Sequence, residues 1–179
     1  MGENIKISLF GKNDPDIESI GELFCYTFIG KNYNFQDYND AVENIKRHIC
    51  YEGFKGVKAK GENEKLLGFA YGYSSIPKQF YRQKLAAQLT EAQSKEWLDN
   101  CFEFVELAIN PSYKRQGIGG LLHDTLFENI DHNNSVLTTG INNIPAIKLY
   151  NSKGWALIKE NVPVITDDDL QVIMGKRIK

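Results

Sequence analysis

The run CFEFVELAI, Cys101 to Ile109, is apolar at seven of nine positions. A segment this short, rich in aromatic and β-branched side chains, belongs to a strand covered on both faces. A polar loop with Lys114 and Arg115 follows at once, and Gly117, Gly119 and Gly120 open an amphipathic helix with Ile118, Leu121, Leu122, Thr125, Leu126 and Ile130 on one stripe. A buried strand that feeds a glycine turn and a helix restricts the chain to layered α/β architectures.

The flanking sequence supplies the other layers. Ile5 to Phe10 alternates and predicts a first strand. Asp14 as N-cap and Pro15 at the first helical position predict a helix with Ile17, Ile20, Phe24, Thr27 and Phe28 inward, stopped by Gly30. A second helix is predicted from about Asn39 to Tyr51, with Val42, Ile45 and Ile49 inward. FKGVKAK and KLLGFAYGYS flank the polar GENE and predict an antiparallel hairpin. Tyr81, Leu85, Leu89 and Ala92 recur at helical spacing, so the segment from Ser75 to Asn100 is predicted as a helix inserted between strands. SVLTT, the helix IPAIKLYNSKG closed by Gly154, WALIKE and LQVIMGKRI complete the order. One mixed α/β domain over residues 1–179, built on one sheet, is the expectation.

Composition narrows the function classes. A net charge of −2 argues against a nucleic-acid surface, which needs a concentrated positive stripe. No apolar run is long enough to span a membrane, and the opening MGENIKISLFGKND lacks a secretory pattern, so a cytoplasmic protein is expected. MGENIK also lacks the hydroxyl residue of a myristoylation signal. Cys25, Cys50 and Cys101 lack metal-ligand spacing and are expected as buried free thiols. His48, His123 and His132 stand apart from one another and read as surface or helix residues, so no metal is expected.

The glycine loop carries the chemistry. A helix N-terminus presents unpaired N–H groups and partial positive charge, and glycines let an anion approach them. Lys114 and Arg115 add charge-assisted donors, so a diphosphate suits the loop. Leu122 stands where a dinucleotide fingerprint needs glycine, and the NTPase Gly-Lys-Ser/Thr ending is missing.

LAINPSYKRQGIGGLL resembles the acetyl-CoA-binding motif of the GNAT superfamily of N-acetyltransferases, with Lys114 at that family's Arg/Gln position. NIPAIKLYNSKGW, Asn143 to Trp155, is similar to a second GNAT segment, with Trp155 in place of Phe. The resemblance implies a GNAT fold: about seven mostly antiparallel strands flanked by helices, here with an extra helical segment between the third and fourth. It implies acetyl-CoA as cosubstrate and an amine, on a small molecule or a peptide, as acceptor. The backbone of Leu107, Ala108 and Ile109 would meet the pantetheine arm and donate to the oxyanion. Lys114 and the amides of Arg115, Gln116, Gly117, Ile118, Gly119 and Gly120 would hold the diphosphate, and Asn143 would bond the pantetheine region. Tyr150 stands at the position where many members protonate the departing thiolate. Glu103 and Glu106, the charges of the central strand, are the candidate bases, and their spacing puts them on opposite faces of a regular strand. Phe80, Tyr81 and Trp97 of the inserted segment either line an acceptor pocket or pack inward. Family members often dimerise, which leaves a homodimer open. A non-catalytic acyl-CoA sensor is the rival reading.

Overall fold

A computed structural model describes residues 4–179. Met1–Glu3, on which the reading against a lipid anchor partly rests, lie outside the described residues. The strands are β1 Lys6–Phe10, β2 Lys55–Lys60, β3 Leu66–Ser74, β4 Cys101–Ile109, β5 Asn134–Gly140, β6 Ala156–Pro163 and β7 Leu170–Arg177. They form one seven-stranded sheet in the order β1-β2-β3-β4-β5-β7-β6. The helices are α1 Ile17–Phe28, α2 Phe35–Ile49, α3 Phe80–Gln88, α4 Glu91–Leu98, α5 Ile118–Phe127 and α6 Ile144–Ser152. β1–β2, β2–β3, β5–β7 and β6–β7 pair antiparallel, and β4–β5 pairs parallel, the mixed and mostly antiparallel sheet that was expected.

The chain divides into two compact units, one up to Tyr73 together with Glu106–Asn129, the other Ser74–Val105 together with Ile130–Lys179. In the first, Ile17, Ile20, Leu23, Val42 and Ile45 of α1 and α2 are buried with Val57, Phe69 and Tyr71 of β2 and β3. α1 begins at Ile17 with Asp16 as its N-cap, two residues later than predicted. The cause lies in β2. Nζ of Lys58, a buried residue, bonds Asp14 Oδ1 at 2.7 Å and Asp16 Oδ2 at 2.6 Å, and Lys60 reaches Asp16 at 2.7 Å. A buried ammonium needs paired carboxylates, and that demand positions the aspartates. The predicted inward stripe of α1 is also corrected: Leu23 and Cys25 are buried, whereas Phe28 is exposed. α2 starts at Phe35, earlier than predicted, because Asn34 and Asp37 form a reciprocal capping box.

In the second unit, Leu85, Leu98, Cys101, Val136, Val162, Val164 and Ile173 make one core, with Tyr81 and Trp97 packed against it. The inserted segment is two helices and not one. Gln93 N–H donates to Thr90 Oγ1 at 3.1 Å, and Thr90 N–H donates to Gln93 Oε1 at 3.0 Å. This box starts α4 just after α3 ends, although the apolar spacing runs on across the break. The free thiols are Cys25 and Cys101, both buried, and Cys50, which is exposed and corrects the expectation of three buried thiols. His123 is a helix histidine, as expected: it lies on α5, buried and stacked on Phe127 at 4.8 Å.

Candidate active site

In the first unit the end of β4 leads into the glycine loop. Asn110 N–H donates to the Leu67 carbonyl at 2.8 Å, and a Cβ on Gly68 would lie 2.8 Å from the Ala108 carbonyl oxygen. Only glycine permits that approach between the two backbones. Asn110 then accepts the Ser112 N–H at 3.1 Å, setting a tight turn over Pro111–Tyr113, and Lys65 Nζ lies 4.9 Å from the Tyr113 ring centroid. Lys114, Arg115, Gln116 and Gly117 are exposed, and Ile118 is buried under α5 with Leu122 and Leu126.

Gly117 has φ +81°, a left-handed conformation that L side chains rarely adopt. Arg115 also has positive φ, +62°. Gly117 is the N-cap of α5 and no side chain caps the helix. The first-turn amides of Ile118, Gly119 and Gly120 therefore have no partner within the helix or from a capping side chain, which is the condition for binding an anion. A Cβ built on Gly117 meets nothing within 4 Å. The loop thus has the donors, the clearance and, in Lys114 and Arg115, the cations that a diphosphate requires. At the other end of α5, Lys55 Nζ donates to the Thr125 carbonyl at 3.1 Å, complementing the negative pole of the helix.

Glu106 also lies in this unit and is half-buried. Burial pushes its carboxyl up to about 8, because a charge removed from water is disfavoured. The contacts of Leu67 with Asn110 and of Gly68 with Ala108 and Ile109 define an antiparallel β3–β4 register. Tyr71 is fully buried, and its Oη lies 3.0 Å from His48 Nδ1. Burial first, and then the Glu106 charge, hold the Tyr71 phenol well above its usual range. The sequence reading did not single out Tyr71, and it took His48 as an isolated surface or helix histidine. The visible signal was the aromatic density of β3.

The second unit holds the remaining candidates. Glu103 is buried, at 2% exposure, and its Oε2 accepts from Ser75 Oγ at 3.1 Å. Its strand pairs through Cys101, Phe102 and Glu103 with Asn134, Ser135 and Val136. Tyr150 is buried on α6, with its ring edge-on to Phe104 at 5.9 Å and 6.0 Å from Trp155. Asn143 caps α6: its Oδ1 accepts the Ala146 N–H at 3.4 Å and its Nδ2 donates to Thr139 Oγ1 at 3.2 Å. Of the three aromatics of the inserted segment, Tyr81 and Trp97 pack on the core and Phe80 is exposed. Among the described residues, no group of three or more His, Cys, Asp or Glu could hold a metal ion, and no helix is long and apolar enough to cross a membrane.

A model of the Acetyltransferase (GNAT) family matches residues 25–155, most of the chain and all of the loop just described. The chain belongs to the GNAT acetyltransferase family. As a member of that family it is an acyltransferase that takes its acetyl group from acetyl-CoA. A search of curated protein sequences finds no match.

Solved structures share the GNAT fold. PH1933 from Pyrococcus horikoshii is 19% identical, with a TM-score of 0.71 over 97% of this chain and 98% of that one. An aminoglycoside 6'-acetyltransferase type Ii is 18% identical, with a TM-score of 0.67 over 97% of each chain. YncA from Salmonella typhimurium, solved with its cofactor acetyl-CoA, is 14% identical, with a TM-score of 0.67 over 97% of this chain and 95% of that one. At these identities the likeness carries the fold and leaves this GNAT chain's acceptor unassigned.

Proposed function

We propose that this GNAT acetyltransferase, acting as one domain over residues 1–179, moves the acetyl group of acetyl-CoA to a primary amine by direct attack in a ternary complex, in the cytoplasm. Glu106 is its general base. The observation that carries this reading is the place of Glu106, half-buried on the strand that runs straight into the glycine loop, where burial pushes its carboxyl up to about 8. An ordinary carboxylate holds a proton far less tightly than an alkylamine does, and raising its affinity narrows that gap. Glu103, enclosed and bonded to Ser75, is read as structural.

Amine attack on a thioester also needs the carbonyl polarised and the thiolate protonated. The amides of Leu107 to Ile109 meet the pantetheine arm and the developing oxyanion. Lys114 and the backbone of Arg115 to Gly120 hold the diphosphate, and Asn143 adds a polar contact to the pantetheine. Tyr150 supplies the proton to the departing sulfur, a role supported by its position in the second family segment. The acceptor is an amine of a small molecule or peptide. The aminoglycoside enzyme of the same fold supports a cationic acceptor, and so does the slight net acidity.

Calorimetric titration with acetyl-CoA tests the loop. The native protein is expected to bind saturably, and Gly117→Glu is expected to lose at least about 100-fold in affinity by placing a carboxylate among the donors meant for phosphate. Native protein that takes up no acetyl-CoA would sink the reading. An amine panel then identifies the acceptor. With it, Tyr150→Phe is expected to lower kcat about tenfold or more, and an unchanged kcat would remove Tyr150 as the acid.

A further inference from the structure

Glycine inside a strand weakens it, and one kept there often marks a bulge or the close approach of another backbone. Gly68 lies in the interior of β3, buried between Leu67 and Phe69, which are both fully buried. β3 is bulged at this point: Ala59 of β2 pairs with Gly68 and Lys60 pairs with Leu66, which leaves Leu67 as the extra residue. The Leu67 carbonyl accepts the Asn110 N–H at 2.8 Å, just past the end of β4. A Cβ on Gly68 would lie 2.8 Å from the Ala108 carbonyl oxygen, 2.8 Å from Ile109 Cδ1 and 3.1 Å from Leu122 Cδ1. The ends of the two side chains can turn aside, whereas the Ala108 oxygen belongs to the backbone and moves only with β4.

These contacts join three elements at one point. Ala108 and Ile109 are the last residues of β4 before the glycine loop, and Leu122 belongs to α5, which the loop opens. Gly68 therefore packs against both sides of the loop: the strand end proposed to meet the pantetheine arm, and the helix whose first turn is proposed to hold the diphosphate. The two parts of the cofactor are covalently joined, so one molecule engages both sets of amides only when their separation matches its length. We propose that Gly68 is a positioning residue for acetyl-CoA: having no side chain, it lets β3 hold the end of β4 at the distance from α5 that the cofactor spans. An alanine there needs about half an ångström or more of movement to reach ordinary contact distance from the Ala108 oxygen. That movement displaces the amides of Leu107 to Ile109, while α5, touched only through the flexible end of Leu122, keeps its place. The inference rests on the proposed pantetheine contact with β4.

The test compares two ligands by calorimetry: acetyl-CoA, and 3′-phosphoadenosine 5′-diphosphate, which is the same molecule without its pantetheine arm and acetyl group. The native protein is expected to bind acetyl-CoA at least about tenfold more tightly than the short ligand. Gly68→Ala is expected to lose about tenfold or more in acetyl-CoA affinity and to keep its affinity for the short ligand within about threefold. Loss of stability alone does not produce that selectivity. Ile45→Ala, which opens a cavity in the buried face of α2, is the control: it is expected to lower the melting temperature and to keep both affinities within about threefold. Equal losses of both ligands in Gly68→Ala overturn the proposal, and so does a matching selective loss in Ile45→Ala. If Gly68→Ala does not fold, Gly68→Ala combined with Leu122→Val, which removes the leucine Cδ1 and leaves the clash with the Ala108 oxygen, is read in the same way. A native protein that binds the two ligands alike defeats the pantetheine contact and the proposal with it, whereas a native preference that Gly68→Ala retains defeats only the role of Gly68, so the two failures are separable.

Discussion

Glu103 and Glu106 are three residues apart on β4 and occupy different worlds. Glu103 sits where the strand pairs with β5, enclosed at 2% exposure and bonded to Ser75. Glu106 sits farther along, half-buried and within a few residues of the open loop. Under the proposed function the same side chain serves as a structural tie in one place and as a proton acceptor in the other. Neighbours, more than residue type, decide what a carboxyl does.

The largest effect that can break this contrast is on turnover. Glu106→Gln is expected to lower kcat by about 10²–10⁴-fold, the usual range for a lost base, while Glu103→Gln keeps kcat within about tenfold of native. Steady-state kinetics with the identified amine reads both, and equal losses would erase the distinction. Next is the pH profile. A base titrating at about 8 makes kcat/KM rise with pH through that value, and a rising limb near 4.5 would show a carboxyl of ordinary strength.

Stability provides the smaller effects. Glu103→Ala strips the Ser75 hydroxyl of its acceptor and is expected to cost about 1–3 kcal/mol in denaturant unfolding, against little for Glu106→Gln. The sign of the pH dependence sharpens the comparison further. Glu106 binds its proton more tightly folded than unfolded, so the contribution is fully present below about 4.5 and is lost as pH rises through about 8. Melting curves of the native protein are therefore expected to fall, relative to Glu106→Gln, across that window. A constant difference would mean that Glu106 titrates alike in both states.

Local chemistry made much of this legible in the sequence. The bounds of β4 and the opening of α5 were read directly from an apolar run and a cluster of glycines, while the positive φ of Gly117 emerged only in the structure. Where reading failed, a distant partner or an overlooked cap intervened. α1 starts late because Lys58 and Lys60, on another element, claim Asp14 and Asp16. The break between α3 and α4 was local and visible as Thr90 with Gln93, but the apolar spacing running through it hid the cap.

By itself the sequence determined the central strand, the phosphate-type loop and the family, because each is written in contiguous residues whose backbone chemistry needs no partner. Only the tertiary structure separated the two glutamates. That separation depends on Ser75, drawn from outside the strand, and on the burial of Glu106, and the proton affinity of a carboxyl is set by the surroundings that folding brings to it.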